Sequence, residues 1–227
     1  DPGTGGLLTE FGAGDGEDVG RAVEAARSAF RHSGWAAKPE RERAAILRRY
    51  AELVEREAEP LVQIESLDVG RPEKEIAAVD IPLVVNTLRY YAEVAQKTPR
   101  RVRLGLRGLD ARTYRAPYGV CGVIVPWNFP MVNIIWGVAP ATAAGNAVVL
   151  KPAEDASLSS LYLARLAEEA GIPPGIVNVV PGIGEKAGAA LAAHPGLQRM
   201  AFTGSPEVGR LVGVACGRNL VPVTLEL

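Results

Sequence analysis

The sequence predicts an α/β fold: a parallel five-stranded sheet with flanking helices, preceded by a mainly helical segment and a small β-hairpin. Three observations point there. Apolar residues recur at helical spacing through residues 1–98. Residues 99–118 partly alternate arginines with Val102, Leu104, Leu106 and Leu109, as an exposed hairpin would. From Val120 onward, short apolar runs alternate with helical stretches, the pattern of βαβ units. Charge divides at the same place: residues 1–98 carry net −5 and residues 99–227 net +4.

The helices come first. Val19, Ala22, Val23, Ala26 and Phe30 form one stripe, with Asp15 and Asp18 placed to cap its start. Ile46, Leu47, Tyr50, Leu53 and Val54 form a second, with Pro39 near its first turn. A short helix follows and stops at Asp68-Val69-Gly70-Arg71-Pro72. A third stripe runs through Ile76, Val79, Leu83, Val84, Leu88 and Tyr91. The hairpin region holds six arginines against one acid, Asp110, and reads as a solvated ribbon or an oligomer contact rather than an anion site.

Five strands are then expected at Val120–Val125, Ala147–Leu150, Ile176–Val180, Met200–Phe202 and Val221–Leu225. Helices fill the gaps at Met131–Ala144, Ser157–Ala170, Glu185–Ala193 and Pro206–Ala215, the second ended by Gly171 and the last by Gly217. Right-handed crossovers place every strand C-terminus on one edge. Ligands of open α/β sheets bind beyond that edge, so chemistry is sought in the strand-following loops.

Composition narrows the classes. Of the 227 residues, 48% are hydrophobic and 22% charged, an ordinary globular balance. The net charge of −1 argues against a nucleic-acid surface. Two cysteines, Cys121 and Cys216, exclude a disulfide scaffold, and His32 and His194 offer no metal-ligand spacing. No apolar run is long enough to span a membrane, so neither a membrane nor a metal is expected, and a reducing cytoplasmic setting is the default. The chain begins at Asp1 without Met and stops inside the apolar stretch Val221–Leu227, from which we expect a fragment of a longer protein.

Four loops carry the chemistry. In Pro126-Trp127-Asn128-Phe129-Pro130, two prolines stiffen the turn, and Trp127 and Phe129 are expected to anchor it in apolar surroundings. Asn128 would then be a fixed amide able to donate to a developing oxyanion, or a plain helix cap. Lys151 and Glu154, in Lys151-Pro152-Ala153-Glu154-Asp155, suit ribose hydroxyls, and the Glu154 charge opposes a 2′-phosphate, which favours NAD over NADP. The alternative is a surface lysine with carboxylates at a helix start. Pro181–Gly188 is glycine-rich, but its G-x-G-x-x-x-G spacing departs from the usual dinucleotide fingerprint. Ser205 and Pro206 make a capped helix start whose N–H groups could face a pyrophosphate, or no ligand at all.

Taken in order, PWNFP, KPAE, PGIGEKAG, FTGS and VTLEL closely resemble the aldehyde dehydrogenase superfamily, as does the upstream Ala25–Phe30 segment with Trp35. The resemblance covers nearly the whole chain. It implies a Rossmann-like NAD-binding core at 119–227, a helical segment at 1–98 packed on it, and a ribbon of oligomerisation type at 99–118. It further implies a homodimeric or homotetrameric parent that oxidises a small aldehyde to a carboxylic acid through a cysteine thiohemiacetal and thioester. Carried over by residue, Asn128 resembles the oxyanion-stabilising asparagine and Glu226 the general base for deacylation. Ile124, Pro126 and Trp127 border the cofactor, Lys151 and Glu154 hold the adenosine ribose, and Gly184 and Gly188 line the adenine side. Ser205 lies near the pyrophosphate with Val208 beside it. A Glu226 buried between Leu225 and Leu227 would have a raised pKa, whereas an exposed strand residue would not.

This sequence departs from the family in two respects: neither Cys121 nor Cys216 stands at the nucleophile position, which lies beyond the Glu226 motif, and the catalytic domain is expected to lie outside these residues. The alternative reading is therefore a non-catalytic nucleotide-binding or assembly module. The identity of the aldehyde is not legible in these residues.

Overall fold

The computed structural model describes all residues from Asp1 to Leu227. Three helices open the fold: α1 (Gly16–His32), α2 (Glu40–Arg56) and α3 (Ala58–Val69). The Asp15–Asp18 capping box forms as the sequence predicts. Gly70 ends α3 in the left-handed region at φ 73°, a conformation that costs glycine little.

The next stripe behaves differently. A short helical turn, α4 (Glu73–Glu75), passes through a π segment at Ile76–Asp80 into α5 (Ile81–Lys97). The wider π turn shifts the buried face of the helix. Asp80 and Ile81 point inward, whereas Val79 and Leu83, expected in the core, are exposed. The hairpin pairs β1 (Arg101–Leu104) with β2 (Ala111–Tyr114) antiparallel, and it is exposed on nearly all positions.

The sheet contains β3 (Val120–Ile124), β4 (Ala147–Lys151), β5 (Val177–Val179), β6 (Arg199–Thr203) and β7 (Val223–Glu226). All neighbours are parallel, in the order β5-β4-β3-β6-β7. The chain winds outward from β3 to β5, then returns to the other side of β3 for β6. The order therefore reverses between β3 and β6, and a crevice opens there at the C-terminal edge. Between the strands run α6 (Pro130–Ala143), α7 (Leu158–Glu169), α8 (Ala189–Ala192) and α9 (Pro206–Arg218). The expected Glu185–Ala193 helix is a π segment at Gly184–Gly188 followed by the short α8. Helix α9 runs one residue past Gly217, and the turn is made by Leu220 at φ 54° instead.

One apolar core joins the helical segment to the sheet, from Val19 and Trp35 through Leu47 and Leu88 to Val123, Leu150 and Met200. Helix α6 lies at its centre. It approaches β3 so closely that a Cβ on Gly137 would stand 2.5 Å from Val123 Cγ1. Its C-terminal carbonyls are met by the helical segment: Trp35 Nε1 donates to Thr142 O at 3.2 Å and Arg43 Nε to Ala143 O at 3.0 Å. A cation at that end of a helix is favourable.

Candidate active site and cofactor edge

Strand register fixes the edge. Ile124 pairs with Lys151 on one side and with Phe202 on the other, Phe202 with Leu225, and Thr203 with Glu226. Lys151 ends the row that runs through Ile124 and Phe202 to Leu225, and Glu226 lies one residue beyond that row at the same edge. They stand three strands apart, about 14 Å at the usual spacing.

The Lys151 half is a prebuilt clamp. Lys151 is only 3% exposed, yet its Nζ lies 2.8 Å from Glu154 Oε2, so the buried ammonium is paired. Gly184 N–H donates to Glu154 Oε1 at 3.3 Å. Partial burial works against ionisation of Glu154, but the Lys151 ammonium and backbone N–H groups outweigh it and hold the carboxyl below its ordinary range. A Cβ on Gly184 would sit 3.8 Å from Glu154 Oε1, and one on Gly188 3.6 Å from Lys151 Cδ. A larger side chain at either position would lie over the clamp. An ammonium and a carboxylate side by side, the carboxylate partly exposed, are the donor and acceptor that a ribose diol needs, so these residues fit a dinucleotide.

The other half is a cleft of about 770 Å³ lined by Pro126, Trp127, Asn128, Thr203, Ser205 and Glu226, among others. It straddles the β3–β6 switch point. Ser205 caps α9, accepting from Val208 N–H at 3.3 Å, as the sequence predicts. Asn128 and Glu226 are thus brought into one cleft. Glu226 is exposed at the end of β7 and is not buried between Leu225 and Leu227. Ile124 is buried in the strand beneath the cleft, and Val208 is exposed on α9.

The Asn128 loop differs from expectation in two ways. Trp127 is 61% exposed and Phe129 38%, so neither ring is anchored in an apolar pocket. Phe129 is instead covered by the Arg71 guanidinium, 4.1 Å from its ring centroid. Nor does Asn128 cap α6: Phe129 occupies the cap position and gives no side-chain bond. The cap arrives from far along the chain. Glu65 Oε1, on α3, accepts from Met131 N–H at 3.2 Å. One turn further on, Asp68 Oδ2 accepts from Leu158 N–H at 2.9 Å and caps α7. Residues three apart on α3 therefore cap the two helices that follow β3 and β4. These carboxylates escaped the sequence reading because their partners lie 66 and 90 residues away. The only local signal was their shared helix face.

Glu65 is wholly buried, and burial pushes its carboxyl up to about 7 despite the opposing Ser159 hydroxyl and Met131 N–H. Asp80, equally buried, pairs with Arg71. Both cysteines are buried; burial pushes Cys121 up to about 11 and raises Cys216. Neither lines the cleft.

The model of the aldehyde dehydrogenase family matches residues 1–227. The chain belongs to that family. It is 46% identical to the human mitochondrial aldehyde dehydrogenase and 46% to mouse retinal dehydrogenase 2, with all of this chain aligned to 44% of each. An Arabidopsis thaliana aldehyde dehydrogenase family 2 member, named as mitochondrial, is 43% identical over all of this chain and 42% of its own length. Among solved structures, an aldehyde dehydrogenase from Bacillus cereus in complex with NAD+ superposes with a TM-score of 0.92 at 41% identity, covering 95% of this chain and 44% of that one. Betaine aldehyde dehydrogenase from Staphylococcus aureus, also in complex with NAD+, gives 0.93 at 30% identity over 98% and 44%. This aldehyde dehydrogenase chain thus spans less than half the length of the relatives it matches. Its sheet, helices and hairpin have the Rossmann-like architecture expected of it. No helix in it is long and apolar enough to cross a membrane.

Proposed function

We propose that this chain is the cofactor-holding part of an NAD-dependent aldehyde dehydrogenase that oxidises a small aldehyde to its carboxylic acid. The observation that carries the reading is the placement on one sheet edge of a Lys151–Glu154–Gly184 clamp and of a cleft containing Asn128 and Glu226. When bound, NAD supplies the hydride acceptor. Lys151 and Glu154 hold the adenosine ribose, Gly184 and Gly188 leave room for the adenine side, and Ile124, Pro126 and Trp127 flank the cofactor's course. The N–H groups at the start of α9, near Ser205 and Val208, face the pyrophosphate. The Glu154 charge disfavours a 2′-phosphate and so selects NAD over NADP.

The Asn128 amide donates to the oxygen that gains charge when a thiolate adds to the aldehyde carbon. That thiolate comes from outside these residues, because Cys121 and Cys216 are buried with raised pKa values. Once the thiohemiacetal has given up its hydride to the nicotinamide acceptor, a thioester would remain; Glu226 takes a proton from the water that hydrolyses it, and its exposure to the cleft leaves water free to reach it. The arginine-rich hairpin serves as an oligomer contact in a homodimer or homotetramer. Cytoplasmic placement stands as a proposal, to be set by cell fractionation against the mitochondrial relatives.

The test is aldehyde-dependent NADH formation in the full-length protein. Asn128→Ala and Glu226→Gln should lose turnover while keeping NAD affinity. Wild-type turnover in both variants would refute the reading. The buried cysteines favour a second reading, a nucleotide-binding or assembly module without redox activity. In that case the full-length protein binds NAD yet reduces it with no aldehyde.

A further inference from the structure

Asn128 makes no hydrogen bond with the rest of the chain and is exposed, so nothing it touches sets its direction. Its neighbours do. One residue on, the Phe129 ring lies under Arg71 at 4.1 Å. Three residues on, Met131 N–H is held by Glu65 at 3.2 Å. Pro130 between them has no N–H to give and a nearly fixed φ. Arg71 is in turn paired with Asp80, and both Asp80 and Glu65 are completely buried.

Burying two carboxylates is costly unless something requires them. Glu65 has the Ser159 hydroxyl beside it, whereas Asp80 Oδ1 has no hydrogen-bond partner, so the burial of Asp80 is not explained by its own satisfaction. The cluster's two outward contacts converge on one place. Glu65 fixes the start of α6, Asp80 orients Arg71, and Arg71 covers Phe129. The sequence explains why all three reach the loop together. Glu65 lies on α3, Arg71 follows directly after its left-handed end at Gly70, and the π segment turns Asp80 inward to meet Arg71. An ordinary α-helical register through Ile76–Asp80 would change the face on which Asp80 stands.

We propose that Glu65, Arg71 and Asp80 form a positioning network that aims the Asn128 amide, acting on the loop from the helical segment without touching the reacting atoms. The proposal rests on the reading of Asn128 as the oxyanion donor, and its test separates the two. A displacement of about 1 Å at such a donor costs up to about 100-fold in rate. The network is therefore a means by which helical residues distant from the cleft control turnover.

The experiment uses ¹⁵N-labelled chain. It follows the Asn128 side-chain NH₂ resonances and the hydrogen exchange of the Met131 amide. Glu65→Leu removes the acceptor, and Glu65→Gln keeps an acceptor oxygen without the charge. Phe129→Leu removes the ring that Arg71 covers. Arg71→Lys keeps the charge beside Asp80 but loses the planar face. Glu65→Leu should speed Met131 exchange by about tenfold or more and shift or broaden the Asn128 signals. Glu65→Gln should restore both. Phe129→Leu and Arg71→Lys should shift the Asn128 signals while the sheet resonances stay in place.

In the full-length enzyme, Glu65→Leu should lower kcat with the Kd for NAD unchanged, and Glu65→Gln should recover it. Unmoved Asn128 signals in folded Glu65→Leu and Phe129→Leu overturn the proposal. Should Glu65→Leu fail to fold, Phe129→Leu and Arg71→Lys decide by the same criterion. A displaced loop with full kcat in Glu65→Leu also overturns it, provided Asn128→Ala is slow. If Asn128→Ala turns over normally while the signals move, the network does hold the loop and only the oxyanion reading falls.

Discussion

The loops after β3 and β4 leave neighbouring strands of one sheet, yet they are organised in opposite ways. Lys151 finds its partner three residues on, in Glu154, and Glu154 is steadied by Gly184. The clamp is thus satisfied before any ligand arrives. Asn128, one strand away, is left without a partner and is held only through its neighbours by residues of α3 and the turn after it. The difference teaches a division of labour. A group that must exchange partners on binding can afford a local one. An amide that must meet a charge appearing only during reaction has to be kept free and aimed from elsewhere.

The sharpest way to break this comparison is at the free end. Asn128→Ala should lower kcat by about 100- to 1000-fold, the usual cost of one oxyanion donor, with NAD binding intact. Stopped-flow turnover together with calorimetry measures both. On the paired side, Lys151→Met should weaken NAD by about 10- to 100-fold through loss of a charge-assisted contact, and should leave Glu154 unpaired. Glu154→Gln should cost less, about tenfold, and should narrow the gap between NAD and NADP. The double variant should fall short of the sum, because the two side chains touch.

A third test concerns Glu65, which is buried and faces Asp80 and Arg71 across the cluster. Its carboxyl is raised from 4.5 to about 7, so the protonated form is the one the fold favours. The associated stability is fully present below pH 4.5 and is lost as pH rises through about 7. Glu65→Gln should therefore gain relative to wild type by on the order of 3 kcal/mol across that window, read from urea unfolding at successive pH values. A flat difference would mean that Glu65 is ionised in the fold throughout. The smallest effect belongs to the thiols. Cys121 and Cys216 should react with a soluble disulfide reagent far more slowly in the native chain than in urea.

Much of this arrangement was legible in the sequence. The alternation after Val120, the Asp15 cap, the Gly70 stop and the Ser205 start are local signals, written within a few residues of where they act. Lys151 and Glu154 were legible as candidates because they stand three residues apart in one strand-following loop, but their pairing with each other was not. What was not legible is non-local. The π segment at Ile76–Asp80 leaves Val79 and Leu83 outside although their spacing reads as core. Glu65 and Asp68 look like surface charges on a weakly amphipathic helix until α6 and α7 are brought against them. Trp127 and Phe129 look like anchors because they are large and apolar. Their exposure follows from the crevice they border and, for Phe129, from an arginine that covers its ring.

On our proposal, the edge formed by Lys151, Glu154 and Gly184 is built for the unphosphorylated ribose of NAD. Calorimetric titration of the chain with NAD and with NADP, repeated on Glu154→Gln, tests it most directly. NAD should bind more tightly than NADP, and the preference should shrink in Glu154→Gln. Tighter binding of NADP, or a preference untouched by the substitution, would contradict it.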